Sequence, residues 1–243
     1  PMNYQSIYQE VLLAEKRIRK HILKTPLIES HSLSQLIKGK VYLKCENEQY
    51  TGSFKARGSL NKILSLSEEE RSKGLVTAST GNHALGFARS LQIADKQGVI
   101  YLPSYASKAK TEVLSHYPVE LIYHDGDSLQ TEIYAKKVAE ENGRIWISPY
   151  NDPMVIGGQG TIATELENQL DNFDYLLATV GGGGLISGIG SYLKTKRPNV
   201  KIIACQPKNS PEMTLSLEAG RIIDLPDQLE TLSDGSAGGI EPG

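Results

Sequence analysis

Short apolar segments alternate with segments of helical periodicity through most of the chain, and this alternation constrains the fold more than any other feature. The strands that it predicts cover residues 75–78, 98–102, 119–123, 144–147, 174–180 and 200–204. Strands separated by helices form βαβ units and a parallel sheet with right-handed crossovers. We therefore predict an α/β fold whose ligands lie beyond the carboxyl ends of the strands.

The rest of the sequence predicts helices and one further strand. Helices are predicted over residues 4–20, 32–37, 108–116 and 156–170, and a strand over residues 41–46. Gly39 is predicted to end the second of these helices, and Ser53 to cap the helix that begins near Lys55. Ser67 and Glu70 have the spacing of a capping box at the start of a short helix.

The composition is that of an ordinary globular protein. The 243 residues are 39% hydrophobic and 22% charged, and the net charge of −2 gives no drive toward nucleic acid or acidic membranes. No apolar run is long enough to cross a bilayer and the N-terminal residues show no signal-peptide h-region, so a cytoplasmic protein is expected. Cys45 and Cys205 lie in strand-like segments without metal-binding spacing, which favours reduced thiols in the core.

Lys55 stands at the start of a predicted helix, just after a predicted strand and a polar loop. A helix N-terminus carries partial positive charge, and nearby positive potential lowers the pKa of a lysine. A lysine with a lowered pKa is a nucleophile that can form a Schiff base. The alternative for this residue is a solvated surface lysine without a chemical role.

Four consecutive glycines, Gly181, Gly182, Gly183 and Gly184, separate the most apolar predicted strand from a helix. Glycines allow backbone N–H groups to converge on an anion, with the helix N-terminus behind them. The spacing is neither that of a Walker A loop nor G-x-G-x-x-G, so we expect a phosphate without an implied nucleotide. The alternative is a turn that needs positive φ angles.

A second polar turn, formed by Ser79, Thr80, Gly81, Asn82 and His83, offers hydroxyls, N–H groups and a carboxamide at a helix start. Such a turn suits a carboxylate and one polar ring substituent, although helix capping by Ser79 or Thr80 explains two of its residues equally well. His83 is either a base or a packed side chain. A lysine, a phosphate site and a carboxylate site together predict pyridoxal phosphate chemistry on an amino acid.

The sequence resembles fold-type II pyridoxal-phosphate enzymes of the serine/threonine dehydratase and serine racemase group. The resemblance covers essentially the whole chain and rests on four motifs in order: residues 53–58 (Ser-Phe-Lys-Ala-Arg-Gly), 79–83 (Ser-Thr-Gly-Asn-His), 157–161 (Gly-Gly-Gln-Gly-Thr) and 181–185 (Gly-Gly-Gly-Gly-Leu). With Cys205-Gln206-Pro207, the chain looks closest to the threonine dehydratase-like branch that includes hydroxyectoine-utilisation dehydratases.

The resemblance implies a tryptophan-synthase-β-like fold of two open α/β domains with the cofactor between them. Residues 1–50 and 149–243 would form the larger domain and residues 51–148 the smaller, mobile one; a homodimer is the family expectation. Lys55 would bind the cofactor aldehyde and then move the Cα proton. The other roles implied are ring packing for Phe54, a hydrogen bond to the ring oxygen for Asn82, phosphate binding for Gly181 to Gly184, and substrate-carboxylate binding for Ser79, Thr80, Gly81 and His83.

Three departures from the family pattern bear on function. Thr80 stands where the racemases have a serine hydroxyl, which disfavours racemisation because threonine is stiffer at χ1. Gln206 stands where the family places a cation-binding glutamate, which leaves a divalent cation uncertain and Glu212 as the remaining candidate ligand. The family sequence continues beyond Gly243 to a residue that faces the pyridine nitrogen, so we expect a C-terminally truncated chain with weakened cofactor binding.

The sequence therefore predicts β-elimination of a hydroxy amino acid such as L-serine or L-threonine to a 2-oxo acid and ammonia. A racemase with the same cofactor is one alternative. A truncated, inactive relative or a non-catalytic protein that binds a phosphate ligand is the other.

Overall fold

The computed structural model of the chain describes residues 3–106, 108–225 and 230–241. The α-helices of these residues are α1 Tyr4–Ile18, α2 His31–Ile37, α3 Lys55–Ser65, α4 Glu68–Ser72, α5 Asn82–Ala94, α6 Lys108–Leu114, α7 Ser128–Glu141, α8 Pro153–Gln169, α9 Gly184–Lys196 and α10 Glu212–Ala219. The strands are β1 Leu27–Glu29, β2 Tyr42–Lys44, β3 Leu75–Ala78, β4 Gly98–Pro103, β5 Val119–His124, β6 Ile145–Trp146, β7 Tyr175–Thr179 and β8 Lys201–Cys205. No described helix is long and apolar enough to cross a membrane.

The predicted α/β alternation is confirmed by a four-stranded parallel sheet in the order β5-β4-β3-β6. Successive side chains of a strand point to opposite faces of the sheet. Leu75 and Ile100 accordingly pack with residues of α5, whereas Val76 and Val99 pack with residues of α7. Because helices cover both faces, every residue of β3 and β4 is buried, as the continuous apolar segments predicted.

A second parallel pair, β7 with β8, packs with α1, α8 and α9 in a separate core cluster. Strand β7 is the most apolar of the predicted strands, but only two of its five residues are buried. Leu176 and Ala178 are buried, but Tyr175 and Leu177 are 54% and 65% exposed. An apolar segment carries no information about which face is covered, and among the described residues only one face of β7 packs against helices.

Glycines of the third sequence motif allow three helices to cross closely. A Cβ on Gly158 of α8 would lie 2.6 Å from the carbonyl oxygen of Arg57 in α3. On the other side of α8, a Cβ on Gly188 of α9 would lie 2.2 Å from the carbonyl oxygen of Ile156. A Cβ on Gly160 of the motif would also lie 2.9 Å from the Gly188 carbonyl oxygen, so glycines of this motif pack α8 closely against both α3 and α9.

Several predicted boundaries need correction. Helix α8 begins at Pro153, three residues earlier than predicted, because Asp152 caps it by accepting from the amides of Met154 and Val155. Lys38, and not Gly39, takes the left-handed conformation after α2. Phe54 occupies the N-cap position of α3, although the Ser53 hydroxyl accepts a 3.3 Å hydrogen bond from the Lys55 amide.

Other local predictions had mixed outcomes. The capping box of Ser67 and Glu70 is confirmed. Strand β1, which pairs antiparallel with β2, and helix α10 were not predicted. The two cysteines, Cys45 and Cys205, are free but half-buried, so their prediction as core residues is wrong.

Candidate active site

Lys55 is the first residue of α3, and its side chain is held against the segment that follows β6. Its Nζ donates a 2.7 Å hydrogen bond to the carbonyl oxygen of Pro149 and lies 5.6 Å from the centre of the Phe54 ring. Burial lowers the pKa of Lys55 to about 8, and the nearby Glu132 acts in the opposite direction. The predicted direction of this pKa change agrees with the structure, where burial is its main cause.

A cavity of about 530 Å³ lies in front of Lys55. It is lined by most of the residues that the sequence singled out: Phe54, Lys55, Ser79, Thr80, Gly81, Asn82, His83, Gly181 and Gly182. Gly183 and Gly184 line a smaller adjoining cavity of about 60 Å³, together with Phe54, Lys55 and Gln159. The three turns, separated by up to 130 residues in the sequence, therefore meet around one lysine.

The tetraglycine turn has the features of an anion cradle. Gly183 has a φ of +86° and caps α9, and a Cβ on Gly182 would lie 2.3 Å from the Tyr150 ring. Within the described residues, no hydrogen bond occupies the amides of Gly181, Gly182 and Gly183. In the adjoining small cavity, the buried Nε2 of Gln159 also lacks a partner among the described residues. Unpaired donors beside a helix N-terminus fit a bound phosphate.

The polar turn before α5 also leaves donors open toward the cavity. Gly81 is the N-cap of α5, and no side chain accepts from the first-turn amides of this helix. The Ser79 hydroxyl instead accepts a 3.2 Å hydrogen bond from the Gly81 amide. Helix capping by Ser79 or Thr80, the alternative interpretation of this turn, is therefore wrong, and the amides remain available to a carboxylate.

The His83 imidazole is buried in the core and both of its nitrogens have hydrogen-bond partners. It is 2% exposed, and its Nδ1 and Nε2 lie 3.2 Å from Ser59 Oγ and 2.9 Å from Thr77 Oγ1. Burial, with the charge of Lys55, lowers the pKa of His83 to about 3. The ring is thus a neutral core group, which leaves its backbone amide as the group that can face a ligand.

The sequence matches the family described as pyridoxal-phosphate dependent enzyme over residues 18–243. The chain is a member of this family. The family assignment made from the four motifs is therefore confirmed, and the donors of the cavity fit the phosphate of the family's cofactor.

Named relatives in this family include lyases and racemases. The chain is 39% identical over 229 residues to the L-threonine ammonia-lyase of Thermotoga maritima, a match that covers 94% of the chain and 57% of that protein. It is 39% identical to the serine racemase of Arabidopsis thaliana, covering 91% of the chain and 67% of the racemase. With the L-threonine dehydratase catabolic TdcB of Escherichia coli it shares 38% identity over 88% of the chain and 65% of that enzyme. The chain thus spans 57–67% of the length of these three relatives.

Solved structures of the family confirm the predicted fold. The structure of maize serine racemase superposes with a TM-score of 0.89 at 34% identity, covering 96% of this chain and 71% of that one. The processed form of threonine deaminase isoform 2 from Solanum lycopersicum gives a TM-score of 0.90 at 32% identity, covering 99% and 71%. This agreement shows a fold-type II pyridoxal-phosphate architecture.

Sequence reasoning missed several residues that line the cavity. Tyr150 lies against the tetraglycine turn, where burial raises the pKa of its hydroxyl and Glu132 adds to this effect. Glu132 comes from the second turn of α7, and Gly238 and Gly239 from the end of the described chain. A proline-tyrosine loop after a predicted strand was the only local signal for Tyr150, and Glu132 had none.

Glu212, the candidate cation ligand, is buried and bonded to a neighbouring hydroxyl. Its two carboxylate oxygens accept hydrogen bonds from Ser210 Oγ at 2.8 and 2.6 Å. Gln206 donates from Nε2 to the carbonyl oxygen of Val180 and accepts from the Thr214 amide. Among the described residues, no cluster of three or more acidic, histidine or cysteine side chains is placed to hold a metal ion.

Proposed function

We propose that this chain carries the pyridoxal-phosphate site of an ammonia-lyase that eliminates water from a hydroxy amino acid such as L-serine or L-threonine. The products are a 2-oxo acid and ammonia. The proposal rests on one observation: Lys55, the tetraglycine turn and the turn before α5 line the same pair of adjoining cavities. The relatives named L-threonine ammonia-lyase and L-threonine dehydratase support the same reaction class.

The proposed roles follow from the chemistry of each group. The free amides of Gly181, Gly182 and Gly183 would hold the cofactor phosphate, and Phe54 and Asn82 would contact its ring. The amides at the start of α5, with Ser79, Thr80 and Gly81, would bind the substrate carboxylate. When bound, the cofactor withdraws electrons from the substrate Cα and makes its proton removable.

Lys55 would take the Cα proton. A base must be neutral to accept a proton, and an unperturbed lysine is almost fully charged near neutral pH. Since burial lowers the pKa of Lys55 to about 8, a useful fraction is neutral at mildly alkaline pH. The hydrogen bond to Pro149 holds the amine at the cavity wall in a fixed position.

A racemase is the second candidate, favoured by one feature of the cavity. Thr80, a residue with a hydroxyl group, lines the same cavity as Lys55. A second proton donor is what a racemase needs on the face of Cα away from the first base. Relatives named serine racemase support this candidate.

The experiment mixes the purified chain with pyridoxal phosphate and measures the visible absorption of the lysine-bound cofactor. We expect the band in the wild type and in Lys73→Ala, an exposed lysine that serves as the control, and its loss in Lys55→Ala. L-serine and L-threonine are then assayed for 2-oxo acid. D-serine without 2-oxo acid would favour the racemase, and a wild-type chain without the band would contradict the proposal and point to a non-catalytic relative.

We further propose a division into a smaller domain over residues 51–148 and a larger one formed by the flanking segments, a homodimer, and a cytoplasmic location. The free Cys45 and Cys205 suit a reducing compartment. The homodimer rests on the resemblance alone, and sedimentation of the purified protein tests it. A monomeric protein that is fully active would contradict the dimer.

A further inference from the structure

Glu132 is a carboxyl group at the cavity whose presence the proposed roles leave unexplained. It lies on α7 and lines the 530 Å³ cavity together with Lys55. Its Oε1 is shielded from solvent and has no hydrogen-bond partner among the described residues. Buried polar atoms without a partner are rare and destabilising, and they concentrate where a ligand completes them.

The charged groups around Glu132 do not, on balance, stabilise its ionised form. Burial, followed by the charge of Glu241, raises the pKa of Glu132 to about 8, while Lys55 and Lys136 act in the other direction. Lys136 is engaged by Glu241, whose Oε2 lies 3.2 Å from its Nζ. The Glu241 amide donates to the Tyr150 hydroxyl, and Ser148 donates to the Glu241 carboxylate. A pKa of about 8 keeps Glu132 mainly protonated at neutral pH, and no described residue forms a hydrogen bond with its buried Oε1.

Glu132 approaches the cavity from a different side than the turn that suits the substrate carboxylate. Helix α5, which follows that turn, and helix α7, which carries Glu132, pack on opposite faces of the four-stranded sheet. Both reach the cavity at the carboxyl edge of the sheet. An amino acid whose carboxylate lies at α5 would thus extend its other groups toward α7.

We propose that Glu132 is the acid that protonates the hydroxyl leaving from the substrate Cβ, an assignment that rests on the proposed function. Lys55 removes the Cα proton, and the electron pair of the Cα–H bond becomes the second bond between Cα and Cβ. The Cβ–O bond breaks with its electrons on oxygen, which takes the Glu132 proton and departs as water. Glu132 is left as a carboxylate and regains a proton from solvent before the next turnover.

The experiment compares two leaving groups in Glu132→Gln, which keeps the shape of the side chain but has no acidic proton. Hydroxide needs a proton to leave, whereas chloride does not. For L-serine we expect kcat/KM to fall by about 10²- to 10⁴-fold, the usual contribution of a general acid. For β-chloro-L-alanine we expect little change. Glu132→Asp should recover part of the serine activity.

Three further measurements separate this role from a structural one. The affinity for pyridoxal phosphate, read from the visible band, should be unchanged in Glu132→Gln. Glu140→Gln removes an exposed carboxyl from the same helix and should alter neither substrate. In the wild type, serine elimination should decline as pH rises through the pKa of the acid, and β-chloroalanine elimination should lack this decline.

Each outcome decides the assignment. An equal loss for both substrates would mean that Glu132 supports the site structurally, and an unchanged serine rate would mean that it takes no part; either result overturns the proposal. A wild-type chain that eliminates from neither substrate would refute the proposed function, and the role of Glu132 would fall with it. A wild-type chain active on β-chloroalanine but not on L-serine would show an intact site and refute only the role of Glu132 as the acid.

Discussion

Glu165 is the centre of a buried charge network, and its replacement by glutamine is the most direct test of how the fold around Lys55 is held. Its side chain is 2% exposed and pairs with Arg57 at 2.7 Å, Arg19 at 2.8 Å and Lys44 at 2.5 Å. Arg57 is itself fully buried and forms two hydrogen bonds with Glu46, of 2.8 and 2.7 Å. Glu165→Gln preserves volume but leaves these cations with one carboxylate fewer.

The pKa of Glu165 gives the expected magnitude. Burial alone would raise this pKa, but Arg57, Lys44 and Arg19 together lower it from 4.5 to about 2. At about 1.4 kcal/mol for each pKa unit, the ionised form stabilises the folded chain by about 3 kcal/mol. Loss of one partner from a buried ion pair typically destabilises by about 3 to 5 kcal/mol, which agrees. Because the folded pKa is lowered, this stability is present above pH 4.5 and disappears as pH falls toward 2.

Urea unfolding at neutral pH, followed by circular dichroism, measures the free energy of unfolding of the wild type and the variant. We expect Glu165→Gln to lose about 3 to 5 kcal/mol, and the difference from the wild type to shrink in acid. Glu218→Gln, an exposed carboxyl on α10, is the matched control and should change the free energy by less than about 0.5 kcal/mol. If Glu165→Gln lost no more than this control, the network would not hold the fold and the reasoning would be refuted.

Two further predictions concern packing and pH. Gly188→Ala should lower the free energy of unfolding by about 1 to 3 kcal/mol because the added Cβ would lie 2.2 Å from the Ile156 oxygen. Gly190→Ala on the same helix is the control and should be neutral or stabilising, since its Cβ would lie 3.5 Å from the nearest atom. Equal effects of the two variants would contradict the close crossing. The folded pKa of His83, lowered from 6.5 to about 3, means that the unfolded chain gains a proton as pH falls. Stability should therefore drop by about 2 kcal/mol more in the wild type than in His83→Asn between pH 7.5 and 5, and parallel pH profiles of the two proteins would contradict a neutral, buried imidazole.

The sequence predicted the central sheet well because covered strands leave a strong local signal. Strands β3 and β4 are buried on both faces and read as continuous apolar segments. Strand β1 leaves no such signal, since it has three residues and none of them is buried, whereas its partner β2 was predicted within residues 41–46. The same limit explains β7, where the apolar pattern is present but one face is open within the described chain.

The candidate site was predictable where the backbone supplies the chemistry. Glycines and small polar residues at strand-to-helix turns mark positions where amides face a ligand, and these turns do meet at Lys55. Glu132 and Tyr150 reach the cavity through tertiary packing. Nothing in the local sequence distinguishes Glu132 from Glu140 on the same helix, although Glu140 is exposed. Only the three-dimensional structure distinguishes a glutamate that lines the cavity from one that is exposed to solvent.

The motif around Lys55 combines one residue for chemistry with several that fix its position. Arg57, two residues later, anchors the first turn of α3 to Glu46 and Glu165. Gly58 accepts no side chain because Gln159 of α8 lies against it, with the Gln159 Oε1 accepting from the Gly58 amide at 3.1 Å. A Cβ on Gly86 of α5 would lie 2.9 Å from the carbonyl carbon of Lys55. The start of α3 is therefore held by backbone contacts with α5 and α8 and by the buried ion pairs of Arg57, and this fixes the position of the lysine amine at the cavity wall.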